Sequence, residues 1–405
     1  AGGEEHAGKI FSFLVERSSV PYLEMLEKWL YEGKVHDPYG EFMMVEKPYL
    51  AIHEDAYWEK RYDVRASHVP SFLNHKEVVH QVVTTGKYLT VMRECGQTGG
   101  CPHAHKIKYS PNDRVYAELV AKAYEFASAT VLRLLMDKNS LMARLESVKH
   151  YFLLDQGDWF VHFMDTAEEE LAKDVRQISR QRLESMLQLS LVTSISANDA
   201  FKDDVACDVM NCTALDEVLH VISIDGLDKL AKARPYDAAA DAGPALSGFD
   251  AFTLAYKVDW PLNVVLSKAT LTKYRWLFRH LFSYKCVERE LCASWMMHQG
   301  TKSFQAHQAF MTDFALRRRM QHFVQSLQHY LVMDVVENQW HAFKEGMRSI
   351  KTVDDVLRTH DRFLGSCIKH FMLNDPQLLK QLARAVGTCE KFAKYVKSKA
   401  LTFTP

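Results

Sequence analysis

Chain breakers are scarce in this sequence: 405 residues contain only 17 Gly and 11 Pro. That excludes an architecture of many short strands and tight turns and favours long helices. No apolar run approaches the roughly 20 residues of a membrane-spanning helix. Neither sign of charge dominates, with 50 Lys+Arg against 51 Asp+Glu, so there is no long-range pull toward nucleic acid or acidic membranes. The eight cysteines, at 95, 101, 207, 212, 286, 292, 367 and 389, are dispersed. They read as reduced, intracellular thiols rather than a disulfide framework. The opening Ala-Gly-Gly-Glu-Glu-His is polar, acidic and without Met. We expect no signal peptide there and a chain that is part of a longer one. Walker-type loops and nucleophile elbows are absent, and Gly96, Gly99 and Gly100 neither follow a strand nor open a helix.

What is present is apolar and periodic. Hydrophobic residues make up 47%, enough for a sizeable core, and the length suits two or three domains. Residues 8–31 carry a helical stripe broken near Pro21, and 71–91 another broken at Gly86. Ser110-Pro111-Asn112-Asp113 predicts an N-cap followed by Pro and an acid in the first turn. Val115, Leu119, Ala123 and Phe126 then follow at helical spacing. Later stripes run through 141–152, 160–171, 183–191, 271–295, 316–331, 353–371 and 378–392. The Ala/Asp/Gly-rich stretch 231–247 reads as a mobile loop, and 254–262 as the one extended segment. The expected class is all-α, built of helical bundles with at most a short extended segment.

Two constellations invite a metal. Cys95, Cys101, His103 and His105 could ligate zinc, but five residues separate the cysteines where short knuckles are usual, so a surface loop is the expectation. Glu77-Val-Val-His80 and Glu217-Val-Leu-His220 repeat the Glu-x-x-His pattern that builds di-iron sites in four-helix bundles. They supply the alternative reading of a metal-dependent helical-bundle enzyme. Arg317-Arg318-Arg319 is a basic run on a predicted helix. Three polar-aromatic junctions punctuate the bundles: 155–160, 201–204 and 256–261. In the first, Gly157 is expected to close one helix at φ > 0 and Asp158 to cap the next. Aromatics at bundle ends suit contact surfaces, or else plug the core.

Longer stretches resemble a known family. Tyr151-Phe-Leu-Leu-Asp-Gln-Gly-Asp-Trp-Phe-Val-His-Phe-Met-Asp165-Thr-Ala-Glu-Glu-Glu-Leu171 resembles the gamma-tubulin complex proteins. Ala255-Tyr-Lys-Val-Asp-Trp-Pro-Leu262 and Leu271-Thr-Lys-Tyr-Arg-Trp-Leu-Phe-Arg-His-Leu-Phe282 do too. Glu24-Met-Leu-Glu-Lys-Trp29, His36-Asp-Pro-Tyr39, Tyr57-Trp-Glu-Lys-Arg-Tyr62, Gly86-Lys-Tyr-Leu89, Arg93-Glu-Cys-Gly96 and Phe201-Lys-Asp-Asp204 are similar to the component 2 type, with component 3 the nearest relative.

The resemblance implies an elongated all-α protein of two GRIP domains. The distal part of the first would occupy residues 1–110, and the second, gamma-tubulin-binding domain residues 111–405. It implies a non-catalytic scaffold of the gamma-tubulin small and ring complexes, arranging gamma-tubulin laterally to template microtubule nucleation. The partners would be gamma-tubulin, a component 3 type protein and further lateral complex proteins, without nucleic acid or membrane insertion. The place would be the cytoplasm and cytoskeleton, at a centrosome or spindle pole. No cofactor is expected on this chain, any nucleotide belonging to gamma-tubulin. The contact residues expected at the junctions are Asp155, Gln156, Gly157, Asp158 and Phe160; Phe201, Lys202 and Asp203; and Tyr256, Lys257, Asp259 and Trp260. Arg318 and Arg319 are added from the basic run.

Overall fold

The computed structural model describes residues 2–49, 57–73, 75–97, 101–102, 104–110, 112–223, 246–300 and 304–403. His103 and residues 231–245 of the expected mobile loop lie outside the described residues. In chain order the main elements are α1 (Gly2–Glu32), β1 (Met44–Glu46), α2 (Tyr57–Lys60), β2 (Tyr62–Val64), α3 (Lys76–Glu94) and α4 (Asp113–Arg133). Then come α5 (Leu141–Phe152), α6 (Asp158–Leu171), α7 (Arg180–Thr193), β3 (Val205–Val209), α8 (Ala214–Ser223), α9 (Gly248–Ala251) and β4 (Phe252–Tyr256). The C-terminal part holds α10 (Lys268–Gly300), α11 (Phe304–His329), α12 (Asn338–Arg348), α13 (Val353–His370) and α14 (Pro376–Phe403). The chain is all-α in class. Among the described residues, extended strands pair in two short antiparallel ladders, β1 with β2 and β3 with β4, rather than lying in the single 254–262 stretch.

Two compact units emerge, each assembled from separate parts of the chain. The first comprises residues 1–141, 259–265 and 349–358. Its core joins Leu23, Leu26, Trp29 and Leu30 of α1 to Phe42, Leu73, Val82 and Tyr116. Pro21 does not break α1, and Gly86 does not break α3. Gly86 instead makes room for an aromatic ring: a Cβ there would sit 2.0 Å from Trp29 Cε2. The Trp29 indole donates to the Val82 carbonyl at 2.8 Å, locking the same contact. α4 is capped by Asn112, whose side chain accepts from Arg114 N, two residues later than the sequence suggested. The segment 349–358 closes this unit. Asp354 accepts from the Tyr88 and Tyr124 hydroxyls at 2.8 and 2.5 Å, and Val353 N donates to Ser128 Oγ at 2.9 Å.

The second unit comprises residues 142–258, 266–348 and 359–405. Phe152, Phe163, Phe252, Phe278 and Phe282 form its aromatic centre, with Phe163 stacked on Phe252 at 5.1 Å. The β3–β4 ladder runs in register from Val205↔Tyr256 to Val209↔Phe252. No described helix is long and apolar enough to cross a membrane.

Candidate protein interface

The 155–160 corner begins where α5 stops. Its left-handed residue is Leu154, φ 52°, whereas Gly157 is right-handed at φ −81° and ends no helix. Asp158 is the first residue of α6 and no side chain caps that helix. Asp155 turns inward. It accepts from Lys149 Nζ at 3.0 Å and meets His150 Nδ1 at 2.9 Å, while Lys149 also pairs with Glu337 at 2.5 Å. The His150 hydrogen bond, then Lys149, hold the Asp155 carboxyl well below the usual carboxylate range against the opposing effect of burial. Trp159 is fully buried and Phe160 nearly so, its ring edge-on to Phe282 at 5.8 Å. Gly157 and Asp158 are exposed and Gln156 is half-buried.

The second and third junctions meet at one end of the β3–β4 ladder. Lys257 N donates to the Asp204 carbonyl at 2.8 Å, extending the ladder by one bond. Arg144 of α5 fixes this end by pairing with Asp204 at 2.6 Å and lying over the Phe201 ring at 4.4 Å. Lys202 Nζ donates to the Ala197 carbonyl at 3.0 Å, and Asp203 and Lys257 face solvent. Tyr256 is buried, and burial raises its phenol pKa.

α5 connects the corner to the ladder. Ser147 Oγ donates to Asp199 at 2.7 Å, and Arg144 lies about 12 Å of helix from Phe152. At the corner end, the Tyr151 ring sits 5.9 Å from Trp159. Burial and then the Asp199 carboxylate push the Tyr151 phenol far above its ordinary range.

This end of the second unit also carries an apolar surface that periodicity alone did not single out. α6 and α7 pack on each other, and the 195–198 turn lies against α6. Helices joined by so short a connection run antiparallel, which sets the start of α6 beside the end of α7. Val161, Leu189, Val192 and Ile195 are there 54%, 56%, 59% and 65% exposed. The signal was present in Leu187-Gln-Leu-Ser-Leu-Val-Thr-Ser-Ile195, which has more apolar residues than one buried stripe can use. Arg144, Ser147, Lys149 and Glu337 were missed too, because their partners are remote in sequence.

Four further contact residues were expected. Asp259 and Trp260 belong to the first unit; Asp259 is exposed, and the half-buried Trp260 packs edge-on to Tyr57 at 5.2 Å. Arg318 and Arg319 are exposed on α11, which packs on α10 and α14. Their neighbour Arg317 is buried over Trp295 at 4.6 Å.

The di-iron alternative fails on geometry. Glu217 is bound through one oxygen to Arg275 at 2.6 Å and through the other to Arg279 at 2.5 Å, so its lone pairs are aimed at guanidinium groups. Glu77 and His80 lie exposed on α3 in the first unit, and His220 is exposed in the second. Among the described residues no group of three or more His, Cys, Asp or Glu could hold a metal ion.

Comparison with known proteins gives the family and divides the chain near residue 140 rather than at the expected 110. A family model described as gamma tubulin complex component C-terminal matches residues 141–404, and one described as gamma tubulin complex component N-terminal matches residues 1–138. The chain belongs to the gamma-tubulin complex component family. It is 41% identical to gamma-tubulin complex component 2 of Mus musculus over 397 residues, covering 96% of this chain and 43% of the mouse protein. It is 38% identical to gamma-tubulin complex component 2 of Arabidopsis thaliana, covering 96% and 57%. It is 31% identical to spindle pole body component alp4 of Schizosaccharomyces pombe, covering 97% and 57%. The chain thus spans about half the length of the curated relatives it matches. These relatives carry the names of complex components, not of enzymes.

Proposed function

We propose that this chain is a scaffold that binds gamma-tubulin through the α6–α7 end of its second unit. The observation that carries the reading is the exposure of the apolar residues Val161, Leu189, Val192 and Ile195 on α6, α7 and the turn that follows; Asp158, Asp203 and Lys257 of the same unit are exposed as well. A solvent-facing apolar patch with a charged rim is the anatomy of a protein interface. The surrounding ion pairs hold the loops at its edge in place before binding, which limits the ordering cost of association. Gln156, Gly157, Phe201 and Lys202 would add contacts in this reading, while the buried Phe160 and Tyr256 and the half-buried, ion-paired Asp155 would serve as structural support. Arg318, Arg319, Asp259 and Trp260 would form separate, secondary contacts.

In this reading no bond is made or broken by the chain, and it carries no cofactor. Gamma-tubulin is held beside the gamma-tubulin of a component 3 type neighbour and of further lateral complex proteins. That arrangement raises its effective concentration and removes much of the entropic cost of a microtubule nucleus. The reading places the chain in the cytoplasm at a microtubule-organising centre, at the minus ends of microtubules.

The test is equilibrium binding of purified gamma-tubulin to the chain and to two variants. Val192→Glu should weaken binding about tenfold or more. Asp158→Lys combined with Lys257→Glu should weaken it as well, while the thermal melts of both variants match the wild type. Undiminished binding by Val192→Glu would remove the α6–α7 patch from the interface.

A further inference from the structure

The second unit has a partly open cavity of about 470 Å³ among α8, α10 and α14 that has no part in the interface above. This is within the usual size of a small-molecule site. Much of its wall is apolar and aromatic, including Phe252, Trp276 and Val386. Several ionised groups also line it, and nearly all are already matched. Arg279 pairs with Glu217 at 2.5 Å, and Arg289 with Asp165 and Glu168 at 2.7 and 2.9 Å. Lys394 pairs with Glu390 and Lys397 with Glu290, each at 2.5 Å. Arg279 keeps an unpartnered Nε–H and shares Glu217 with Arg275.

Asp250 is the exception. Its backbone carbonyl accepts from Arg279 at 2.8 Å, yet its carboxylate has no hydrogen-bond or ion-pair partner among the described residues. Asp250 is exposed and lines the cavity. The wall therefore offers one carboxylate without a direct partner, close to aromatic side chains. That combination favours a cation, which gains a direct ion pair and contact with ring faces. An anion would meet Asp250 and Glu390 together.

We propose that this cavity binds a small amphiphilic amine. The protonated amine would lie against Asp250, and the apolar body would run along Phe252 and Trp276.

The test compares phenylbutylamine with phenylbutyrate, which share an apolar body and differ in the sign of the head, by calorimetric titration of the chain at neutral pH. The amine should bind, and the carboxylate should bind at least about tenfold more weakly. Asp250→Asn should lower amine affinity about tenfold. Gly387→Phe should abolish it, since a Cβ at this cavity-lining glycine meets nothing within 4 Å and the ring can occupy the space. Circular dichroism melts establish that both variants fold. The proposal is overturned if the amine fails to bind, if the two heads bind equally, or if amine binding persists unchanged in either folded variant.

Discussion

Asp155 and the buried histidines set the acid sensitivity of the second unit in different pH ranges. The Asp155 carboxyl is held below its ordinary range, so its stabilising effect is complete above the unfolded value near 3.9 and is lost as pH falls through the folded value. Asp155→Asn should cost about 2 kcal/mol at neutral pH, less than a fully broken buried pair because Glu337 still faces Lys149. Urea denaturation curves of wild type and variant should converge in strong acid. His280 and His360 are buried and neutral, each beside a tyrosine hydroxyl (Tyr284 and Tyr274), with pKa values lowered to about 4 by burial. On unfolding they regain values near 6.5. Their contribution is therefore whole above that value and declines as pH falls from about 6.5 to 4, on the order of 3 kcal/mol each. His280→Gln should flatten the dependence of Tm on pH in that window; an unchanged slope would contradict the assignment. None of this was legible in the sequence. A histidine's burial depends on what covers it, and the Lys149–Glu337 contact spans 188 residues.

At the scale of elements, the sequence was informative wherever one helix face decides the matter. The stripes through 141–152, 160–171 and 353–371 correspond to α5, α6 and α13 because their apolar spacing matches the helical repeat. It misled where tertiary contact overrides local preference. Gly86 looks like a breaker until the Trp29 ring is set against it, and Gly157 looks like a left-handed stop when Leu154 fills that role. Gly86→Ala should destabilise the chain by about 3 kcal/mol in chemical denaturation, since the added methyl must displace a packed indole. A neutral or stabilising outcome would mean that α1 slides freely on α3. The candidate interface was half legible. Its charged tips follow from junction composition, but its apolar centre needed the packing of α6 on α7 to show which of the 187–195 residues are left outside.

Across the whole molecule charge is nearly balanced, at −1, and the proposed interface mixes both signs around an apolar centre. Its affinity for gamma-tubulin should therefore change less than about threefold as ionic strength rises past the point where surface charges are screened. A steep log-linear loss of binding with salt would point instead to the exposed Arg318 and Arg319.

The route of the chain through its first unit has a consequence for biosynthesis. Tyr88 waits for Asp354 across 266 residues, and Ser128 for Val353 across 225. A ribosome adding about 5–20 residues per second needs some tens of seconds to deliver those partners. Throughout that interval the earlier helices emerge with two tyrosine hydroxyls and a serine unmet. Chaperone engagement should concentrate there, and a ribosome stalled before it has added Ser349 holds a first unit that is assembled but not yet fastened.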